Sequence, residues 1–164
     1  MVVDIDEQAI RRSNPQELVS ALANAKADAL LLCISEPAIL ITADTVVLYE
    51  NTVREKPRSE QEAREFLESY ARNPVEVVSA IVVVNTGTKK RAEAAQYSRI
   101  RFKPSIVEAI DAHIANGNAM RGAGGFVFDD PILAPYIESF EGTIESTMGL
   151  DTEVLQELIH QVYV

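Results

Sequence analysis

The sequence predicts an α/β domain in which helices flank one mixed, twisted β-sheet. Segments whose apolar residues recur at helical spacing alternate with Val-rich segments of strand length. A polar turn at residues 85–90 joins two of these strands as a long hairpin. The chain has 164 residues, of which 47% are hydrophobic, and this suits one well-buried domain over residues 1–164.

The first helix is predicted over residues 15–32. Ser13 or Asn14 can cap it, and Pro15 suits its first turn, where the backbone N–H has no partner inside the helix. The apolar stripe of this helix consists of Leu18, Val19, Leu22, Ala25 and Leu30.

Two apolar strands are predicted next, over residues 38–44 and 45–49, and they are paired or bent. This arrangement puts Asp44 at a strand end and leads on to Lys56, on a loop stiffened by Pro57. A carboxylate in apolar surroundings is costly unless it is paired or bound to a metal. The acid and the base can therefore face each other across a small polar site, or Asp44 can simply cap a turn.

The middle of the chain continues the alternation. Ser59 and Glu62 match an S-x-x-E capping box and open a second helix. The strands of the hairpin are predicted over residues 75–84 and 91–102, with Gly87 able to take a positive φ in the turn between them.

A third helix is predicted to begin at Pro104 and to stop at residues 116–118. Its buried face carries Ile106, Ile110 and Ile114. Residues 122–125 form a glycine-rich loop, which either lets the backbone approach a ligand or builds a tight turn. A short helix at residues 131–136 and a final helix from Asp151 complete the domain.

Charge and composition argue against two classes of function. The chain carries 15 basic and 25 acidic residues, a net charge of −10, whereas a protein that binds a nucleic-acid polymer needs a basic stripe. No apolar run approaches the roughly 20 residues of a membrane span. The single cysteine, Cys33, lies in an apolar run and is expected to be a buried, inert thiol in a reducing, cytoplasmic setting. His113 and His160 have no neighbours at ligand spacing and are expected to be structural or solvated.

Several short motifs occur in one order along the chain. They are the acidic segment 4–7, Ala-Lys-Ala at 25–27, Ala-Asp-Thr-Val-Val at 43–47, Glu-Lys-Pro at 55–57, Ala-Gly-Gly-Phe at 123–126, Glu-Gly-Thr at 141–143 and Ser-Thr-Met-Gly-Leu at 146–150. Taken together, they resemble the Maf family of nucleoside-triphosphate pyrophosphatases, and the resemblance runs from about residue 4 to residue 155.

This resemblance implies a Maf fold, like that of inosine-triphosphate pyrophosphatases. It also implies an enzyme that uses Mg²⁺ or Mn²⁺ to hydrolyse modified or non-canonical nucleoside triphosphates to a nucleoside monophosphate and pyrophosphate. Asp44 would be the proton acceptor, or a ligand of the metal that acidifies the attacking water. Glu7 would be a metal ligand, because hard oxygen ligands suit these ions. From the residues alone, Glu7 could equally belong to a solvated acidic turn.

The other residues carried over from the family would bind the substrate. Lys26 and Lys56 would contact phosphate as compact charges. Thr45 matches a position linked to substrate choice. Asp129 falls where relatives carry Gln or Glu and read the base. As a carboxylate that only accepts hydrogen bonds, Asp129 would favour a base edge with N–H donors, such as guanine, over uracil or thymine.

The front of the chain departs from the family pattern. Relatives carry a strand and an S-x-S-x-R-R phosphate loop before their Asp-Glu pair, and no such loop precedes Asp6 and Glu7 here. We therefore expect slow hydrolysis by the chain as given, and association into a homodimer through the sheet edge that the absent strand would leave unpaired. The alternative is a catalytically weak nucleotide-binding or regulatory module that keeps the fold.

Overall fold

The computed structural model describes residues 5–163, so Asp4 of the first acidic motif lies outside the described residues. The chain forms two compact units. The first unit comprises Met1–Thr45, Val78–Gln96 and Glu145–Val164, and the second comprises Val46–Val77 and Tyr97–Ile144. The single domain over residues 1–164 stays a prediction.

Helices and strands alternate as the sequence predicts. The α-helices in residues 5–163 are α1 (Pro15–Leu31), α2 (Glu60–Tyr70), α3 (Ile110–Ala115), α4 (Ile144–Thr147) and α5 (Thr152–Tyr163). The strands in that range are β1 (Ile39–Tyr49), β2 (Thr52–Arg54), β3 (Val75–Asn85), β4 (Arg91–Phe102) and β5 (Ile137–Glu141). These strands form one sheet in the order β2-β1-β3-β4-β5, and both β1 with β2 and β4 with β5 pair antiparallel. The predicted α/β class is confirmed.

In the first unit, side chains fix the starts of two helices. The side chain of Asn14 accepts hydrogen bonds from the N–H groups of the first turn of α1, and Asp151 does the same for α5. The apolar face of α5 packs on the sheet, because Leu158 and Val162 share a core with Ile81 and Val83 of β3. The expected final helix is confirmed.

In the second unit, aromatic rings form the centre of the core. Tyr70 stacks on Phe102 with ring centroids 6.1 Å apart, and Phe126 meets both rings edge-on. The capping box that starts α2 is present in part. Ser59 Oγ accepts from Glu62 N, while Glu62 accepts from Arg58 N rather than from the N–H of Ser59.

The largest correction concerns β1. It is one continuous strand, so Asp44 lies in its interior and not at a strand end. The strand continues because Val47, Leu48 and Tyr49 pair directly with β2, which leaves no break after residue 44.

Smaller corrections concern local chain geometry. Cys33 is exposed, because α1 ends at Leu31 and the apolar run continues into a solvent-facing turn. In the hairpin turn the positive φ belongs to Lys89 and not to Gly87, because Asn85 Oδ1 accepts from the N–H of Gly87 and fixes its backbone.

Two further elements differ from the prediction. The third helix begins as a 3-10 turn over Pro104–Ala109 before α3, and the short helix expected near 131–136 is a 3-10 turn over Ala134–Tyr136. The sequence interpretation missed β5, whose side chains are mostly exposed and give no buried alternation. Over residues 5–163, no helix combines the length and apolar character needed to cross a bilayer.

Candidate active site

Three charged side chains of the first unit converge on one point. The ammonium of Lys26 lies 2.5 Å from Asp44 Oδ1 and 3.0 Å from Glu7 Oε1. Glu7 opens a 3-10 turn over Glu7–Ala9, which is held by Asp6, whose side chain accepts from Ala9 N. The lysine therefore bridges two carboxylates that are distant in the sequence.

The secondary structure places these groups against each other. Lys26 lies on α1 and Asp44 on β1. Thr42 precedes Asp44 by two residues, so the two side chains lie on the same face of the strand. The Thr42 hydroxyl donates a hydrogen bond to the Ala23 carbonyl of α1 at 2.8 Å. This buried bond fixes the register of strand against helix one turn away from the charged pair, so the short Lys26–Asp44 contact follows from the packing of α1 on β1.

The three charges differ in exposure, which controls their protonation. The side chain of Asp44 is 10% exposed, that of Lys26 25% and that of Glu7 54%. The pKa of Asp44 is raised, mainly because the side chain is buried. The hydrogen bond and the charge of Lys26 lower this pKa, and the charge of Glu7 raises it, but neither outweighs the effect of burial. Burial alone would lower the pKa of Lys26, but its bonds to Asp44 and Glu7 outweigh burial and raise it.

Thr45 lies directly after Asp44 and is half-buried. A tight turn approaches its hydroxyl. Gly149, at φ +86°, is so close that a Cβ added there would lie 2.7 Å from Thr45 Oγ1. The turn is held by Gly149 N, which donates to the Ser146 carbonyl, and that carbonyl also accepts from the buried Ser79 hydroxyl. The Ser-Thr-Met-Gly-Leu motif therefore supports the residue beside Asp44.

Comparison with known proteins gives the family of the chain. The family described as Maf-like protein matches residues 1–162. The chain belongs to the Maf family. The resemblance inferred from the motifs is thereby confirmed.

Its relatives carry nucleotide pyrophosphatase names. The 7-methyl-GTP pyrophosphatase of Dictyostelium discoideum is 38% identical, over 99% of this chain and 85% of the relative. The dTTP/UTP pyrophosphatase of Alkaliphilus metalliredigens is 30% identical, over 98% of this chain and 83% of the relative. A nucleoside triphosphate pyrophosphatase of Synechococcus is 27% identical, over 96% and 79%. All three are named as nucleotide pyrophosphatases, the enzyme class expected from the sequence.

The oxygen donors of the cluster suit a divalent metal. Glu7 and Asp44 each direct a carboxylate oxygen at a single cationic group, the Lys26 ammonium. Mg²⁺ in proteins often takes only one or two carboxylates and completes its shell with water and substrate phosphate. Over residues 5–163 no set of three or more acidic, His or Cys side chains could form a fuller cage. The two carboxylates fit a shared metal of this kind.

The remaining predicted site residues lie in the second unit. Lys56 is exposed on the loop between β2 and α2, and Asp129 is exposed in the turn after the glycine-rich loop. Its neighbour Asp130 is buried and accepts from Ile132 N at 2.7 Å. Their roles toward substrate stay predictions.

The sequence interpretation missed the role of Asp130 and its partner His113, which is fully buried. His113 follows Ile106 and Ile110 on the helical segment and precedes Ile114, all of which are buried, and that spacing could have placed it in the core. Of the two roles expected for His113, structural or solvated, the structural one is confirmed, because the side chain is fully buried.

Proposed function

We propose that this chain hydrolyses nucleoside triphosphates to a nucleoside monophosphate and pyrophosphate. The observation that carries the proposal is the Glu7–Lys26–Asp44 cluster on a chain of the Maf family. The names of its relatives support the reaction type. A half-buried group of two carboxylates and one ammonium has the parts that attack on a phosphate requires, namely a proton acceptor and positive charge.

Asp44 is the proposed proton acceptor. Water attacks the α-phosphorus, the bond between that phosphorus and the oxygen bridging to the β-phosphorus breaks, pyrophosphate leaves, and the proton of the water passes to Asp44. A pKa above the ordinary value of 3.8 makes the carboxylate a stronger base than an exposed aspartate. Lys26 orients Asp44 through the bond to Oδ1.

A divalent cation, Mg²⁺ or Mn²⁺, is the proposed cofactor. Glu7 and Asp44 would hold it, and when bound it would neutralise phosphate charge and orient the substrate. Lys26 and Lys56 are the proposed phosphate contacts. Lys56 is exposed and its position on a loop before Pro57 limits the directions its backbone can take.

Modified guanine nucleotides are the proposed substrate class. Asp129, an acceptor-only side chain, suits a base edge with N–H donors. The 38% identity to a protein named 7-methyl-GTP pyrophosphatase is higher than the 28–36% identity to relatives named dTTP/UTP pyrophosphatase, and it favours this class. Thr45 is the second proposed selectivity residue, since it follows Asp44 directly in β1.

A substrate panel tests the proposal. The chain is assayed with Mg²⁺ and with Mn²⁺ against 7-methyl-GTP, GTP, dTTP and UTP, and pyrophosphate release is measured. We expect turnover, with the highest kcat/KM on a guanine nucleotide. Release of orthophosphate instead of pyrophosphate would contradict the proposed cleavage site. Tight binding of every nucleotide without turnover would favour the nucleotide-binding module.

A further inference from the structure

The loop that carries Lys56 is held on both sides of the lysine by two glycines. Gly124 N donates to the Glu55 carbonyl at 3.0 Å. Gly125 packs on Pro57, close enough that an added Cβ would lie 3.5 Å from its Cγ. Both glycines have positive φ, +69° and +82°, a backbone conformation that other residues adopt only with strain. The residues before and after Lys56 therefore depend on the position of this glycine pair.

Two buried side chains in turn hold the glycine pair. The Tyr70 hydroxyl donates to the Gly124 carbonyl at 2.7 Å. His113 Nε2 lies 2.9 Å from the Gly125 carbonyl, and because a carbonyl oxygen has no hydrogen, Nε2 must carry the proton of this bond. Each glycine thus has its carbonyl fixed by one side chain of the core.

Asp130 orients His113. Its Oδ2 lies 2.6 Å from His113 Nδ1 and also accepts from Asn118 Nδ2 at 3.0 Å, while its Oδ1 accepts from Ile132 N. Both side chains of the His113–Asp130 pair are 0% exposed. An aspartate that accepts this many bonds fixes the imidazole ring in its plane, as carboxylates do when they hold a functional histidine.

We propose that His113 is a positioning residue for Lys56. It acts through the Gly125 carbonyl and sets the loop over residues 55–57, so that the Lys56 ammonium meets the phosphates of the substrate. This inference rests on the proposed function, in which Lys56 contacts phosphate. A polar pair this deeply buried is costly for folding, and a hydrophobic residue at position 113 would avoid that cost if packing were its only purpose.

Two substitutions at His113 separate its two bonds. In a side chain that replaces histidine, the amide nitrogen of glutamine reaches the position of Nε2, whereas that of asparagine reaches the position of Nδ1. His113→Gln therefore keeps a donor for Gly125 and His113→Asn keeps a donor for Asp130. Both variants lose the imidazole ring, so the effect of lost packing is similar in the two.

We expect the KM for nucleoside triphosphate, and the inhibition constant of inorganic pyrophosphate, to be about tenfold higher in His113→Asn than in His113→Gln, with a smaller difference in kcat. Tyr70→Phe, which removes the bond to Gly124, should change KM in the same direction. Equal KM values in the Asn and Gln variants would overturn the proposal.

A second comparison uses the Lys56→Ala background. If His113 acts through Lys56, replacing His113 by Asn should have little additional effect on KM once Lys56 is absent, because residues that act as one unit are not additive. An undiminished tenfold effect in that background would show that His113 supports the fold alone.

Hydrogen exchange and amide chemical shifts give a readout that does not need turnover. In His113→Asn, but not in His113→Gln, the Gly124 amide should exchange faster and the Lys56 amide resonance should move. Unchanged Gly124 exchange in both variants would overturn the coupling. Absence of nucleotide hydrolysis by the wild-type chain would instead contradict the proposed function, and the exchange result would still decide whether His113 controls this loop.

Discussion

Asp44 combines two demands that oppose each other. To accept a proton it must be a stronger base than an exposed aspartate, and burial to 10% exposure supplies this. To remain folded in an ionised state it needs a partner, and Lys26 supplies the charge at 2.5 Å. The nearby Glu7 is repelled by Asp44 but attracted by the same lysine. A single ammonium therefore holds together two carboxylates that would otherwise separate.

Asp44→Asn should lower kcat/KM for nucleotide hydrolysis by roughly 10²–10⁴-fold, the usual contribution of a general base. The amide keeps the size of the carboxylate and an oxygen that can accept from Lys26, so the far-ultraviolet circular dichroism spectrum should not change. Asp28→Asn is the matched control, because Asp28 also forms an ion pair but does so at the surface, with Arg91. Wild-type kcat/KM in Asp44→Asn would remove Asp44 from the mechanism.

The stability of the same variant should depend on pH. The pKa of Asp44 is raised in the folded chain, so its contribution to the free energy of unfolding is full below 3.8 and is lost as pH rises through the raised value. Between about pH 7 and about pH 4, wild type should therefore gain stability relative to Asp44→Asn. Lys26 stays charged in the wild type over this window, because its pKa is raised above the ordinary value of 10.5 by its bonds to Asp44 and Glu7.

Urea denaturation at the two pH values, without divalent metal, measures this difference. The control Asp28→Asn should show no comparable trend, since Asp28 is two-thirds exposed. A constant gap between wild type and Asp44→Asn across the window would mean that burial does not raise the pKa of Asp44.

At the scale of elements, strands and helices with a strong apolar period were predictable from the sequence. The points at which some of these elements end were not. The bounds of β4 were predicted to the residue, and those of α1 within one residue. The predicted end of the first strand at Asp44 was wrong. An aspartate often marks a turn, but here Lys26 compensates the charge of Asp44, and β1 continues through this residue. That compensation comes from another element and has no signal in the local sequence.

The turn that ends at Gly149 should control the position of Thr45. Gly149→Ala adds a Cβ at φ +86° and 2.7 Å from Thr45 Oγ1, so the variant must both strain its backbone and displace Thr45. We expect a loss of unfolding free energy larger than the about 1–2 kcal/mol of the backbone term alone. A lower kcat/KM and an altered ranking of nucleotides should accompany it, since Thr45 adjoins Asp44.

Gly117→Ala separates these effects. Gly117 has a similar φ of +78° but no atom within 4 Å of an added Cβ, so this variant has the backbone strain without the collision. It should lose about 1–2 kcal/mol and keep its activity and substrate ranking. If both variants behaved alike in the nucleotide assay, the turn would have no role in placing Thr45.

At the scale of the whole molecule, the family and the α/β class could be predicted because motifs and apolar periods are local properties. Their spatial arrangement was only partly predictable. The sequence indicated Glu7, Lys26 and Asp44 as separate residues, and only the packing of α1 on β1 shows that one ammonium joins them. Likewise, nothing local to Asp130 distinguishes it from Asp129, and its burial against His113 depends on how the second unit packs. Long-range pairing of this kind is set by tertiary contacts.

The net charge of −10 should make nucleotide hydrolysis by this chain sensitive to metal removal. A nucleoside triphosphate is itself strongly anionic, so an acidic protein needs added positive charge to hold it against electrostatic repulsion. Excess EDTA should therefore abolish nucleotide hydrolysis, and Mg²⁺ or Mn²⁺ should restore it.

Glu7→Gln should raise the metal concentration needed for half-maximal activity by roughly tenfold or more, because it removes one of two carboxylate donors. Glu17→Gln changes the net charge by the same amount at an exposed position of α1 and should leave the metal requirement as it is. Metal titrations of pyrophosphate release measure this. If Glu17→Gln shifted the titration as far as Glu7→Gln, the overall charge would explain the metal requirement, and Glu7 would have no specific part in holding the ion.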